Sequence, residues 1–223
     1  MHCLARAAEY HDNITGKHVI RVGRYAGLIS DELGLSPQES RLIELAAQLH
    51  DVGKIGVPDF ILQKDGDLTP EEFSIMQRHC SVGKQVFDQD DERCRGVKPN
   101  PDSTPLLKLA GRIALTHHEN WDGTGYPIGL SGEDIPLEGR ITAVADVFDS
   151  LSCKRSGKAV LPTQRCFDLL QDGCGRQFDP AVVDAFIRRR EDIVAIQIEL
   201  ADAEQGAVPI NQLRELTRDG AKS

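Results

Sequence analysis

Apolar residues recur with a helical period along most of this 223-residue chain. Residues 2–12 carry Leu4, Ala7, Ala8 and His11 on one side, and Asn13 to Gly16 interrupts them. The period resumes from Lys17 to Leu33, with Val19, Val22, Ala26 and Ile29 apolar, and Gly34 ends it. Ser36-Pro-Gln-Glu39 has a capping Ser, Pro at the first helical position and Glu at the third. It opens a helix whose apolar face is Leu42, Ile43, Ala46 and Leu49. That period predicts a helix running unbroken through His50 and Asp51, stopped by Gly53 and Gly56, with Pro58 beyond. Thr69-Pro-Glu-Glu72 repeats the signature and opens a helix expected to end at His79. Residues 88–105 are polar and Pro-rich and read as an exposed loop. Leu106 to His118 is apolar-periodic, Trp121 to Ile135 is a Gly-rich irregular loop, and Ile141 to Leu151 is an almost wholly apolar helix. Asp179-Pro180 starts a helix through about Arg190, and a last one falls within 191–204. The tail after Gly206 is weakly structured. No period-2 run of β-branched residues appears, so the expected class is all-α.

Composition narrows what such a bundle does. The net charge of −9 argues against a general nucleic-acid surface. An anionic substrate would then need local positive charge, which metal ions supply. The longest apolar runs are too short to cross a bilayer, and no basic-then-apolar leader opens the chain. Six cysteines without a CxxC pair suggest reduced thiols and a cytoplasmic location. Helix-like sequence begins almost at Met1, as expected of a domain cut from a longer protein.

The chemistry lies in the histidines. Of seven, five (His18, His50, His79, His117 and His118) lie on or at the ends of helices whose apolar faces should pack together. Each buried imidazole needs a partner. Asp51 directly follows His50, and Asp146 sits in the apolar run Ala143 to Phe148. An ionised carboxylate there is costly without a cation. A His/Asp donor set without Cys favours iron, manganese or nickel over a structural zinc.

The segments His50-Asp51-Val-Gly-Lys54, Ile55-Gly-Val-Pro-Asp59, His117-His118-Glu119 and Trp121-Asp-Gly-Thr-Gly-Tyr-Pro127, with Phe178-Asp-Pro180, resemble the HD-GYP subgroup of the HD phosphohydrolases. The resemblance spans about residues 4 to 190. It implies an HD-domain helical bundle, with residues 1–190 as the catalytic domain and 191–223 as a C-terminal helix and tail. It implies metal-dependent hydrolysis of the bacterial second messenger cyclic di-GMP to pGpG, GMP or both, in signal transduction. The alternative is a domain that binds cyclic di-GMP or a diguanylate cyclase with little or no turnover. A phosphohydrolase for other nucleotides or phosphomonoesters fits less well, given the Gly-Tyr-Pro loop.

The resemblance further implies two divalent transition metals, iron or manganese, with nickel or zinc as alternatives. His18, His50, Asp51 and Asp146 would hold one; His79, His117 and His118 would hold the second, with Asp51 bridging. Lys54 would lie by the scissile phosphate, Gly125, Tyr126 and Pro127 beside the substrate, and Arg155 and Lys158 on its phosphates. Some family members hold a third metal through a Glu four residues before the first ligand. Ile14 stands there, with Glu9 on the preceding helix, so two metals are expected. An upstream receiver or sensor domain, a two-component system, a diguanylate cyclase partner and a homodimer are the implied context. Cys80 stands where the family often has Pro, and Arg155-Ser-Gly-Lys158 where it often has Arg-Pro-Tyr-Lys.

Overall fold

Val19, Val22, Tyr25, Ala26 and Ile29 form one stripe, and all are buried, because the first described helix, α1 (His18–Glu32), runs through the centre of the bundle. The computed structural model describes residues 17–88, 104–153 and 160–201. Glu9, Ile14, Arg155, Lys158, most of the 88–105 loop and the C-terminal tail lie outside them. Helix α1 packs on α2 (Pro37–Ala47), on α6 (Leu137–Ser152), on α8 (Pro180–Arg188) and on α9 (Arg190–Glu199). Between α2 and α6 lie the short α3 (Asp59–Leu62), then α4 (Pro70–Phe87) and α5 (Thr104–Thr116), which pack on each other. No strand occurs among the described residues; Cys174 and Phe178 form one isolated bridge. None of the described helices is long and apolar enough to cross a membrane.

The start signals operate as their chemistry requires. Both expected capping boxes form: Ser36 with Glu39 and Thr69 with Glu72, in each case with Pro inside the first turn. Asp179 accepts from the Ala181 N–H at the start of α8. Each such cap contributes on the order of 1 kcal/mol.

Helix ends differ from the expectation. Helix α2 stops at Ala47, so His50 and Asp51 are not helical. Leu49, His50, Val52 and Lys54 each donate to the carbonyl three residues back, so the chain tightens into a 3-10 turn, Val52–Gly56. Helix α4 runs on to Phe87, which puts His79 in mid-helix rather than at its end. Helix α5 ends at Thr116, and His117 and His118 occupy the turn after it. Helix α6 begins at Leu137, four residues before the apolar run.

Helix α7 (Thr163–Asp172) has no counterpart in the pattern reading. Its buried positions are only Cys166, Phe167 and Leu170, too few to show a period. Phe167 completes a buried aromatic cluster with Tyr25, Phe148 and Phe186, whose neighbouring ring centroids lie 4.9–6.3 Å apart. Ile193 and Ile196 bury α9 against the same core. The carbonyls just past that helix are met from the start of α1: Arg21 Nη1 donates to Leu200 O at 3.0 Å and Lys17 Nζ, at the N-cap of α1, to Ala201 O.

Candidate metal centre

Gly53 decides how closely the His50-Asp51 turn approaches α4. A Cβ there would lie 1.9 Å from the His79 carbonyl oxygen and 2.4 Å from the Gly83 nitrogen. Only glycine permits that contact. It brings Asp51 Oδ1 to 3.5 Å from His79 Nε2 and 3.7 Å from His117 Nε2. The other oxygen, Oδ2, lies 3.3 Å from His50 Nε2 and 2.7 Å from Lys54 Nζ. From α1 and α6 come His18 and Asp146, with His18 Nε2 3.4 Å and His50 Nε2 3.7 Å from Asp146 Oδ1.

Two groups result, His18, His50 and Asp146 in one and Asp51, His79, His117 and His118 in the other. Within each, the donor atoms lie within 4.8 Å of one another. Most of the measured separations are too long for a hydrogen bond, yet they suit donors sharing an ion at about 2.0–2.2 Å. His50 Nε2, His117 Nε2 and Asp51 Oδ1 are buried and have no hydrogen-bond partner. Buried atoms of this kind are costly, and a cation would satisfy all three. The residues therefore fit the metals.

The rings are pre-set. Nδ1 faces the Ala47 carbonyl at 2.8 Å in His50, Met76 at 2.7 Å in His79, and Ile113 at 3.0 Å in His117. In His18 it faces Asp149 Oδ2 at 2.8 Å. A carbonyl or carboxylate oxygen only accepts, so each Nδ1 carries a proton, and in the neutral ring the lone pair is on Nε2, which faces the centre.

Charge divides the centre. Burial works against a charged His50, but Asp51 and Asp146 outweigh it and raise its pKa to about 9. Burial lowers His79 to about 4 and holds His118 well below its ordinary value, with neighbouring His117 acting in the same direction. Burial alone would raise Asp51; Lys54 and His50 instead hold its carboxyl well below the usual range. Cys80 is buried with Sγ 3.5 Å from His79 Nε2, and burial pushes its thiol up.

Beside the second group lies a cavity of about 340 Å³ lined by Phe73, Gln77, His118, Asn120 and Tyr126 among others. The 121–135 loop forms one wall. Its buried anchor is Glu119, whose carboxylate accepts from the N–H groups of Ile128, Gly129 and Leu130 at 2.8–3.0 Å. Gly125 packs on the turn below it, where a Cβ would lie 2.2 Å from the Asn120 nitrogen. Tyr126 N donates to His118 O, and its ring stacks on the His118 ring at 4.8 Å. Pro127 follows on the exposed side.

Sequence reasoning passed over Asp149, Arg21 and Phe73, and quoted Glu119 within a motif without giving it a role. Arg21 Nε and Nη2 donate to the two Asp149 oxygens at 2.6 and 2.9 Å, and both residues are buried. The pair was detectable. Arg21 follows His18 by three and Asp149 follows Asp146 by three, so each lies on its ligand's helix face. Arg21 also interrupts an otherwise apolar stripe.

A family model described as HD domain matches residues 2–182. The chain belongs to the HD domain family. HD-domain proteins bind divalent metals, which agrees with the His/Asp groups. A Vibrio cholerae serotype O1 protein named cyclic di-GMP phosphodiesterase is 44% identical over 208 residues, covering 90% of this chain and 41% of its own length. A Xanthomonas campestris protein named cyclic di-GMP phosphodiesterase response regulator RpfG is 43% identical, covering 91% and 51%. A V. cholerae protein named 3′3′-cGAMP-specific phosphodiesterase 2 is 40% identical, covering 89% and 36%. The chain thus spans about half or less of the length of these curated relatives. Among solved structures, a cyclic GMP-AMP-specific phosphodiesterase of V. cholerae shares the fold, with TM-score 0.61 at 21% identity over 94% of this chain and 51% of its own. An HD-GYP-type protein of Bdellovibrio bacteriovorus follows at TM-score 0.54 and 21% identity, over 80% and 55%. The HD-GYP resemblance and the all-α expectation are borne out.

Proposed function

We propose that this HD domain is the catalytic part of a cyclic di-GMP phosphodiesterase, cleaving a phosphodiester bond to yield pGpG, GMP or both. One observation carries the reading: the two oxygens of Asp51 face opposite ways, Oδ2 toward His50 and Oδ1 toward His79 and His117. A carboxylate so placed would have one oxygen for a cation on each side. In this reading His18, His50, Asp51 and Asp146 hold one metal, and Asp51, His79, His117 and His118 the other. Iron or manganese suits the His/Asp donors, with nickel or zinc as substitutes. Two bound cations supply a water ionisable near neutrality and positive charge for the phosphoryl oxygens.

The protein's own groups do the rest. Asp51 orients both donor groups. Lys54, held at 2.7 Å by Asp51, places a cation where charge develops as water adds to phosphorus and the ribose 3′ oxygen departs with a proton. Gly125, Tyr126 and Pro127 shape the substrate wall, fixed by Glu119. Arg155 and Lys158 would add phosphate contacts. The relatives' names suggest cyclic di-GMP as substrate and, through the response-regulator name, an upstream receiver or sensor domain; a diguanylate cyclase and a second copy are further partners in this reading. The described cysteines Cys80, Cys153, Cys166 and Cys174 are unpaired, which suits a reducing cytoplasm.

The test is elemental analysis of anaerobically purified protein, then product analysis with cyclic di-GMP and 3′3′-cGAMP. Two metals per chain and pGpG or GMP as product are expected. Tight binding of cyclic di-GMP without turnover in the metal-loaded protein would instead make this a receptor domain.

A further inference from the structure

The side chain of Phe73 is not part of the buried core. It lies on the first turns of α4, 44% exposed, on the wall of the cavity beside the metal ligands. Its ring meets the Tyr126 ring edge-on at 5.7 Å, and Tyr126 in turn lies flat on His118. The cavity therefore has an aromatic wall that begins at a metal-ligand candidate and ends at an exposed phenyl ring. Gln77 follows Phe73 by one helical turn on the same face, and Asn120 lines the same space. Their amides carry both donors and acceptors, with Asn120 Nδ2 also donating to Thr124 Oγ1 at 3.0 Å. At about 340 Å³ the space is at the low end for a small-molecule site, enough for part of a dinucleotide and not for all of it. A flat, apolar-faced ligand with a polar edge matches these walls, and the described lining carries no Lys or Arg for a bare phosphate.

We propose that this cavity is a purine-base subsite, with Phe73 as its stacking face and the Gln77 and Asn120 amides at the base's edge. The assignment rests on the reading above, that the substrate is a cyclic dinucleotide: the scissile phosphate sits over the His/Asp groups and one of its two bases enters the cavity. Stacking of one base on an aromatic side chain sets the expected effect at about 5-fold to 100-fold in affinity.

Phe73→Leu keeps an apolar side chain and removes the ring, and Phe73→Trp keeps a ring. The probes are GMP and ribose 5-phosphate, which share the phosphosugar and differ by the base. Both are titrated calorimetrically into the metal-loaded full chain, with metal content measured in each variant. The parent should bind GMP more tightly than ribose 5-phosphate. The Leu variant should lose that preference at unchanged metal content, and the Trp variant should keep it. In turnover of cyclic di-GMP, the Leu variant should raise KM and leave kcat nearly unchanged. Equal binding of the two probes by the parent, or an intact preference in the Leu variant, overturns the subsite. A parent that prefers GMP yet hydrolyses no cyclic dinucleotide would remove the proposed function and leave the subsite standing.

Discussion

The two donor groups solve the same problem by different means. In the His18, His50 and Asp146 group, charge adds to the holding: the Ala47 carbonyl fixes the His50 ring, but Asp149 and Arg21 brace His18, and carboxylates raise His50 to about 9. In the His79, His117 and His118 group, backbone does it: carbonyls on α4 and α5 fix two rings, and burial keeps His79 and His118 neutral. The first group must shed a proton to take a metal, while the second is nearly ready as folded. Asp51, grouped with the second, also reaches the first, its Oδ2 lying 3.3 Å from His50 Nε2.

Breaking the shared residue should therefore have the largest effect. Asp51→Ala is expected to lower kcat by more than about 10³-fold and to disturb both metals, with helical content by circular dichroism nearly unchanged. Full activity with both metals bound would remove Asp51 from the centre.

Lys54 touches the centre without being one of its donors. Lys54→Ala should keep both metals and lower kcat by roughly 10²–10³. A change in KM alone would assign Lys54 to uniform substrate binding.

Asp149→Asn sharpens the contrast itself. It weakens the acceptor for His18 Nδ1 and removes the Asp149 charge that faces the buried Arg21. Metal affinity at the first group should fall about 10- to 100-fold, and that at the second should stay. Competition titrations with a metal buffer, resolving two sites, read this directly. Equal losses at both would mean that the pair supports the fold and not His18.

Acidity gives the smallest and most selective effect. Below about pH 9 the metal-free His50 is mostly protonated, and that proton competes for Nε2. Affinity at the first group should rise up to about tenfold per pH unit from pH 7 toward 9, then level off. The second group, with His79 lowered to about 4, should be nearly flat over that range. Parallel pH profiles at the two sites would contradict the charge division.

Much of this protein was determined by sequence alone, because the signals are local. Helical periods, the Ser36 and Thr69 capping boxes, and His and Asp residues standing in apolar stripes need no knowledge of distant partners. The donor residues were legible because a buried imidazole or carboxylate is too costly to be incidental. Tertiary structure decided what depends on contacts far apart in the chain. The helical period predicted an unbroken helix through Asp51, but the approach of Gly53 to the His79 backbone favours a tight turn there, aiming the two Asp51 oxygens apart. Asp149 and Arg21 lie 128 positions apart and meet only because α1 packs on α6. Phe73 reads as an ordinary helix residue until the fold stands it beside Tyr126. Spacing along the chain specifies which face a side chain occupies; only packing brings two such faces together.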